Sequence, residues 1–508
     1  MHFARVFGAQ PGLPHAHIVS VETDIARGLH AFSIVGLPDK AVEEARDRVS
    51  SAIKNSKIES PKATNKKIVI SLAPAELKKE GAAFDLPIAL SYLIAAEELT
   101  FDPSGKIFAG ELALDGTLRP IRGALSLARA TKEAGYRELF VPSVNADEAS
   151  LVSGIAIYPV KSLSQLIEHL RSKDSPKIHP HLARTLPSVS HGNVSALDDI
   201  RGQAGAKRAL EIAAAGRHNI ALYGPPGTGK TMLARAASAL LPTLSEDEVV
   251  EVTTIHSLAG TLNGSEMFHP PFRSPHHTSS YASLIGGGNI PRPGEVTLAH
   301  RGVLFLDEFP EFHRDVVNAL REPLEDRVVS VSRARGSAIF PANFMLIAAL
   351  NPCPCGFWGS ERCHCMPHVV EKYRRKISGP IADRIDIWVS VGEMPPEALS
   401  IQHTRAQGET SAARERIQHA RTIQGTRFKN NRTLTTNADM KAKDIESFAL
   451  LSESAEHTLV EAAKRMKLSA RGFHRTIKLA RTIADLSDAE KIEIPHMLEA
   501  LQYRAREM

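Results

Sequence analysis

Cysteine is nearly absent from this chain of 508 residues: there are four, and all fall between Cys353 and Cys365. A disulfide framework would spread its bridges along the sequence, so this distribution excludes a stapled extracellular scaffold and marks one local site in a reducing compartment. Long apolar runs are missing too. No segment approaches the roughly 18 uninterrupted apolar residues of a membrane span. The N-terminus has no apolar stretch followed by a small-residue cleavage site, so no secretion signal is expected and the cytosol is the expected compartment. Charge of one sign is also scarce. A formal net charge of +5 over the whole length permits nucleic-acid binding without arguing for it, so any such claim must rest on local patches. There is no internal repeat.

What is present is an ordinary globular composition, 43% hydrophobic, on a chain long enough for about three domains. Up to about residue 172, short apolar runs such as KKIVISL, ending at Leu72, and Arg137–Pro142 read as strands. Asp85–Glu98 and Gly123–Gly135 read as helices. Residues 173–195, rich in Pro, Ser and His and without periodicity, read as a linker. From Ala196 to about residue 395 strands and helices alternate, and residues 396–508 carry only helical periods, broken by the polar stretch Gln424–Thr435. The expected class is therefore multidomain α/β: an α/β N-terminal domain, a P-loop α/β core and a C-terminal helical lid.

The chemistry is concentrated in the core. Gly224-Pro225-Pro226-Gly227-Thr228-Gly229-Lys230-Thr231 fits G-x-x-x-x-G-K-S/T and sits between the apolar run His218–Tyr223 and a good helix, which is the context that gives this pattern its specificity. Glycines let backbone N–H groups curl around phosphate oxygens, and the helix N-terminus adds partial positive charge. Lys230 is expected to reach the β- and γ-phosphates of ATP, and Thr231 to ligate Mg²⁺. Val303–Leu306 then leads into Asp307, the expected second Mg²⁺ ligand, and Glu308, the expected base for the attacking water. A third apolar run, Phe344–Leu350, ends at Asn351, either a water-orienting group between these motifs or a turn cap before Pro352. Cys353, Cys355, Cys363 and Cys365 offer four thiolates for one structural Zn²⁺, although C-x-C is tighter than the usual C-x2-C knuckle. Such a zinc would staple a loop running towards Arg384.

These residues resemble AAA+ ATPases and, within them, the ComM/YifB-type magnesium-chelatase-like family. Phe272–Ser280, Gly286–Gly294, Leu298–Glu308 and Ser378–Asp386 are similar to that family's characteristic run, and the resemblance covers nearly the whole chain. It implies that Asn351 is sensor 1, that Arg384 is an arginine finger reaching a neighbour's γ-phosphate, and that Arg471 is sensor 2. A finger acting in trans implies a ring, expected to be a hexamer. From the residues alone, a salt bridge to Asp383 or Asp386 is the competing role for Arg384. Arg471, Arg475 and Lys478 form one basic helix stripe of which only one member need face nucleotide.

Residues 1–172 resemble the Lon-protease-like fold, but Ala83 stands at its serine position and Leu125 at its lysine position. Neither can serve as a nucleophile or base, so a scaffold is expected rather than a protease. Val328–Ser332 and Ala338–Phe340 alternate like two strands around a basic tip containing Arg333 and Arg335, similar to the hairpin that magnesium chelatases and MCM-type helicases place before sensor 1. That tip, with the stretch carrying Arg273, His276 and His277 as a second candidate, is expected to touch cargo. The resemblance implies an ATP-dependent helicase or branch-migration translocase that acts on single-stranded or branched DNA and promotes its integration during natural transformation. A protein-remodelling AAA+ ATPase, a magnesium-chelatase motor subunit and a Lon-type protease are the alternatives.

Overall fold

The computed structural model describes residues 3–12, 16–63, 65–171, 177–182, 197–262, 267–288, 291–333, 336–377, 379–395, 408–431 and 434–504. They form two compact units, residues 1–188 with 246–267, and residues 189–245 with 268–508.

The first unit is built on a mixed seven-stranded sheet of β1 (Phe3–Gln10), β2 (His17–Arg27), β3 (Ala31–Val35), β4 (Lys66–Ala73), β5 (Lys106–Phe108), β6 (Glu138–Pro142) and β7 (Ala156–Val160), in the order β3-β4-β2-β1-β5-β6-β7. β1, β2 and β4 pair antiparallel, and the other neighbours run parallel. Alternation of buried and half-exposed residues along β2 and β4 is the mark of a sheet with one covered face. The helix Lys40–Asn55 packs on it through Val42, Ala45, Val49, Ala52 and Ile53, and starts at Asp39, whose carboxylate accepts the Val42 N–H at 2.8 Å. Asp85–Ala95 is helical and buried nearly all round, ending three residues before the limit that its sequence pattern suggests; Ala124–Glu133 is the other expected helix. Ala83 and Leu125 are both buried aliphatic side chains.

Asp85 is fully buried and receives Arg48 in a two-pronged pair, Nε to Oδ2 at 2.7 Å and Nη2 to Oδ1 at 2.9 Å, with the Leu112 N–H at 3.1 Å. Burial pushes the Asp85 carboxyl up to about 6 against the pull of Arg48. A folded-state value above the free one means that the native state holds this proton between about pH 4 and 6, and that the group's contribution to stability falls as pH rises through 6. Arg48→Ala is therefore expected to cost about 3 kcal/mol above pH 7, where it strands a buried carboxylate, and clearly less at pH 5. Thermal unfolding of the full chain at both pH values measures this; equal losses would show that charge pairing is not what Arg48 supplies.

Two segments join this unit from beyond its expected range. His181, inside the stretch read as linker, bonds Asp147 at 2.9 Å through its ring and the Ile157 carbonyl at 2.7 Å through its backbone. Of that stretch only residues 177–182 are described. The helix Glu246–Ala259 also belongs here: Ser257 Oγ accepts the Gly123 N–H at 2.8 Å and donates to buried Glu148.

The second unit holds a fully parallel five-stranded sheet. Its elements are β8 (Ile220–Tyr223), β9 (Phe272–Arg273), β10 (Val303–Leu306), the hairpin strands β11 (Val328–Arg333) and β12 (Gly336–Pro341), β13 (Met345–Leu350) and β14 (Ile387–Ser390). The sheet order is β9-β10-β13-β8-β14. β8, β10 and β13 are almost wholly buried and read as continuous apolar runs, as strands covered on both faces do. β11 and β12 pair from Val328↔Pro341 to Arg333↔Gly336, which gives the expected hairpin. Arg335 lies outside the described residues, and of Arg333 only the backbone is described.

The C-terminal part is helical, with Glu409–Arg427, Ala442–Phe448, Glu453–Met466, Ala470–Leu486 and Ile494–Gln502. It shares one hydrophobic core with the sheet: Ile417, Ala420, Ile477 and Ala480 pack in the same cluster as Leu210, Ile220 and Leu233. Gln424 opens no loop. It is buried inside the first of these helices, donating to the Ala215 carbonyl at 3.1 Å and accepting the Asn437 N–H at 3.0 Å. A polar side chain with both ends satisfied sits in a core without penalty, which is why its polarity misleads. No helix among the described residues is long and apolar enough to cross a membrane.

Candidate functional site

β8 delivers the chain into the glycine loop at the C-terminal edge of the sheet. A Cβ at Gly224 would stand 2.1 Å from the Val391 carbonyl oxygen, so close packing against the exit of β14 requires glycine there. Gly227 and Gly229 have φ of +78° and +88°, which only glycine adopts without cost, and Thr228 Oγ1 closes the turn on the Pro225 carbonyl at 2.9 Å. Lys230 begins the next helix. Its ammonium, buried, donates to the Gly224 and Pro225 carbonyls at 2.7 Å each and to Asn351 Oδ1 at 3.1 Å. Burial lowers its pKa, and the Asp307 carboxylate opposes that shift.

Strand order explains how distant motifs meet. β13 lies between β8 and β10, so its tip residue Asn351 falls between the P-loop and Asp307. Thr231 Oγ1 donates to Asp307 Oδ2 at 3.0 Å. A hydroxyl and a carboxylate side by side form a hard-oxygen pair suited to Mg²⁺, which keeps most of its water and takes one or two protein ligands beside phosphate oxygens. Glu308 adopts a left-handed backbone, φ +49°. That conformation costs on the order of 1 kcal/mol in a non-glycine residue, and the Glu308 N–H donates to Asp307 Oδ1 at 2.9 Å. The Glu308 carboxylate is half exposed and meets His277 Nδ1 at 3.3 Å. The His277 ring lies against His276, tilted by 33°, with centroids 4.2 Å apart.

The sequence pattern missed several of these contacts. His277, expected to touch cargo, borders Glu308, and Arg273 is held by Glu295 through two bonds of 2.6 and 2.7 Å. The nucleotide-sized pocket beside the P-loop, about 430 Å³, is walled by Pro226–Gly229 and Met232 on one side and by Asp199–Arg201, Gln203, Arg362, Glu393 and Met394 on the others. Its one sequence signal is Gly202-Gln203 immediately before a helix. Both have positive φ, and a Cβ at Gly202 would strike Met394 at 2.3 Å.

Arg384 and Arg471 come together, but on a carboxylate rather than on the P-loop. Arg384 is buried and pairs with Glu325 Oε2, not with Asp383 or Asp386, while Arg471 Nη2 reaches Glu325 Oε1 at 2.7 Å. The Arg384 guanidinium holds Glu325 below the usual carboxylate range. In the stripe Arg471, Arg475 and Lys478, only Arg471 is exposed. Arg475 pairs with buried Asp386, and Lys478 donates to the Ala438 carbonyl at 3.0 Å, its pKa pushed down to about 8 by burial.

The four cysteine sulfurs all lie within 4.8 Å of one another. Cys353–Cys355, Cys355–Cys363 and Cys353–Cys363 separations are 3.3, 3.6 and 3.9 Å. A tetrahedral zinc with bonds of about 2.3 Å sets its sulfurs about 3.8 Å apart, so the donor set fits despite the tight C-x-C spacing. The Phe357 N–H directed at Cys355 lowers that thiol to about 6.

Three family models cover most of the chain: "Magnesium chelatase, subunit ChlI" over residues 196–399, "Subunit ChlI of Mg-chelatase" over 21–145, and "Magnesium chelatase, subunit ChlI C-terminal" over 407–504. Competence protein ComM of Haemophilus influenzae is 42% identical over 99% of this chain and 98% of its own. YifB of Escherichia coli is 42% identical over 96% of this chain and 94% of its own. Lon protease 2 of Bacillus subtilis is 33% identical over 33% of this chain and 35% of its own, in keeping with a Lon-like part. With a P-loop, paired acids and a strand-tip asparagine on a β9-β10-β13-β8-β14 sheet, and relatives that match end to end, this chain belongs to the ComM/YifB-type magnesium-chelatase-like family of AAA+ proteins.

Proposed function

We propose that this chain is the subunit of a cytosolic hexameric ATPase that uses hydrolysis to move along DNA, acting as a helicase or branch-migration motor on single-stranded or branched substrates during transformation or recombination. ATP and Mg²⁺ would occupy the glycine loop, with Lys230 on the phosphates, Thr231 and Asp307 on the metal, Glu308 as base and Asn351 orienting the water. Mg²⁺ would supply charge neutralisation between the phosphates. The rest of the work falls to the chain's own groups. The observation that carries the DNA reading is end-to-end similarity to a competence protein, Competence protein ComM. The hairpin of β11 and β12 supports it, because the sequence places Arg333 and Arg335 between its two strands, and the hairpin leads on to the strand that ends at Asn351. Basic tips of this kind hold backbone phosphates through charge, with the salt dependence that counterion release brings. The Lon-like part would serve as scaffold, since Ala83 and Leu125 offer no attacking group.

The test is ATPase rate with and without single-stranded and forked DNA, alongside displacement of a strand from a three-strand junction. Stimulation and displacement are expected. In Arg333→Ala/Arg335→Ala, DNA binding should weaken about 10-fold with a shallower salt slope while basal hydrolysis persists. Absence of both stimulation and displacement at every salt concentration would replace this reading with a protein-remodelling ATPase or a chelatase motor.

A further inference from the structure

Between Cys355 and Cys363 the chain leaves the sulfur cluster, visits the nucleotide pocket and returns. Gly356, directly after Cys355, has φ +87° and lies flat on the P-loop: a Cβ there would stand 2.6 Å from Pro226 Cδ. Arg362, directly before Cys363, forms part of the pocket wall shared with Gly227–Gly229. Its guanidinium sits 4.5 Å from the centroid of the Phe357 ring and pairs with Glu393, which lines the same pocket. Cys353 is buried two residues after Asn351. Thirteen residues thus link the sensor strand, four mutually close thiols, the floor of the P-loop and a cationic wall of the pocket.

We propose that a Zn²⁺ bound by Cys353, Cys355, Cys363 and Cys365 fixes Arg362 in the pocket as a contact for the bound nucleotide, so that occupancy of the metal site sets nucleotide affinity. This rests on the reading of the pocket as an ATP site. Two features carry it. Arg362 is next in sequence to a ligand, so metal binding restrains the direction in which its side chain leaves the backbone. Secondly, a guanidinium offers a planar fork of donors matched to phosphate oxygens, and a polyphosphate is a stronger partner for it than the exposed Glu393 carboxylate. Without the metal, the Cys355–Cys363 loop keeps short-range bonds (Ser360 N–H to the Phe357 carbonyl at 3.0 Å, Cys363 N–H to the Ser360 carbonyl at 3.1 Å), the Arg362–Phe357 contact and weak thiol–thiol contacts. The loop then has more conformers to lose on binding, and affinity falls by that ordering cost.

The full chain, purified without added chelator, should contain about one zinc per subunit by elemental analysis. Titration with a fluorescent, slowly hydrolysed ATP analogue in excess Mg²⁺ then compares wild type, zinc-stripped wild type, Arg362→Ala and zinc-stripped Arg362→Ala. Stripping the wild type and substituting Arg362 should each weaken binding about 10-fold, zinc should restore the stripped wild type, and stripping the variant should add less than about 2-fold. Absence of bound metal, wild-type affinity in Arg362→Ala, or an undiminished effect of stripping in that variant would each overturn the proposal. Lys230→Ala separates it from the nucleotide reading. This substitution should abolish binding while zinc content stays at the wild-type level. If the wild type binds no nucleotide although zinc is present, the ATP site itself is wrong, and the proposal falls with it.

Discussion

Glu308→Gln is expected to lower ATP turnover by about 10²–10⁴-fold while leaving nucleotide affinity within a few-fold of wild type. The structure separates the groups that would bind from the one that would react. Lys230 bonds Gly224, Pro225 and Asn351, and Thr231 bonds Asp307, at 2.7–3.1 Å, none of them through the Glu308 side chain. Glu308 has a left-handed backbone, and its side-chain partner is His277. Glutamine preserves the shape, and its amide nitrogen has no lone pair to take a proton from water. ATP should therefore remain bound and uncleaved. Phosphate release under steady state, read beside binding of an ATP analogue, measures both halves. Turnover within about tenfold of wild type would place the base elsewhere. His277→Ala provides the control for the contact at 3.3 Å: it should alter turnover only modestly, since His277 positions the carboxylate and does not replace it.

The parts of this site that could be read from sequence are those whose chemistry is local. A glycine loop between an apolar run and a helix carries its own context, and so does an apolar run ending in Asp307-Glu308. The strand order that brings Asn351 between them is seen only in the structure. The hairpin was legible because alternation and a turn are both short-range signals. What escaped is non-local. Nothing local in residues 246–259 shows which core they join; the helix packs in the first unit, against Glu148 and Gly123. The pocket wall is assembled from residues near 200, 362 and 393, none of which looks special alone. The basic stripe on Ala470–Leu486 suggested one ligand and two solvated charges, whereas Arg471 and Arg475 meet Glu325 and Asp386 and Lys478 meets the Ala438 carbonyl. Charge patterns name candidates for pairing, and tertiary structure chooses the partners.

Arg384→Ala is expected to reduce hydrolysis by about 10³-fold without weakening ATP binding, the size of effect a finger cation has on charge building at a transferred phosphoryl group. Among the described contacts, Arg384 and Arg471 bond to no residue of the P-loop, to neither Asp307 nor Glu308; both converge on Glu325. Two cations sharing one carboxylate are held close together, and Asn219, at the start of the P-loop strand, ties their support to the sheet. It donates to the Arg384 carbonyl at 3.0 Å and accepts the Leu346 N–H at 2.9 Å. A cation pair placed this way suits phosphates presented by another copy of the chain. Mixing experiments decide between the two geometries. Glu308→Gln and Arg384→Ala proteins should each be inactive alone. Combined in equal amounts, they should recover about a quarter of wild-type activity, because an Arg384→Ala subunit keeps Glu308 and can borrow the arginine of a Glu308→Gln neighbour in a ring of random composition. If Arg384 served its own subunit's nucleotide, every mixed interface would lack one of the two groups, and the mixture would stay as inactive as its components.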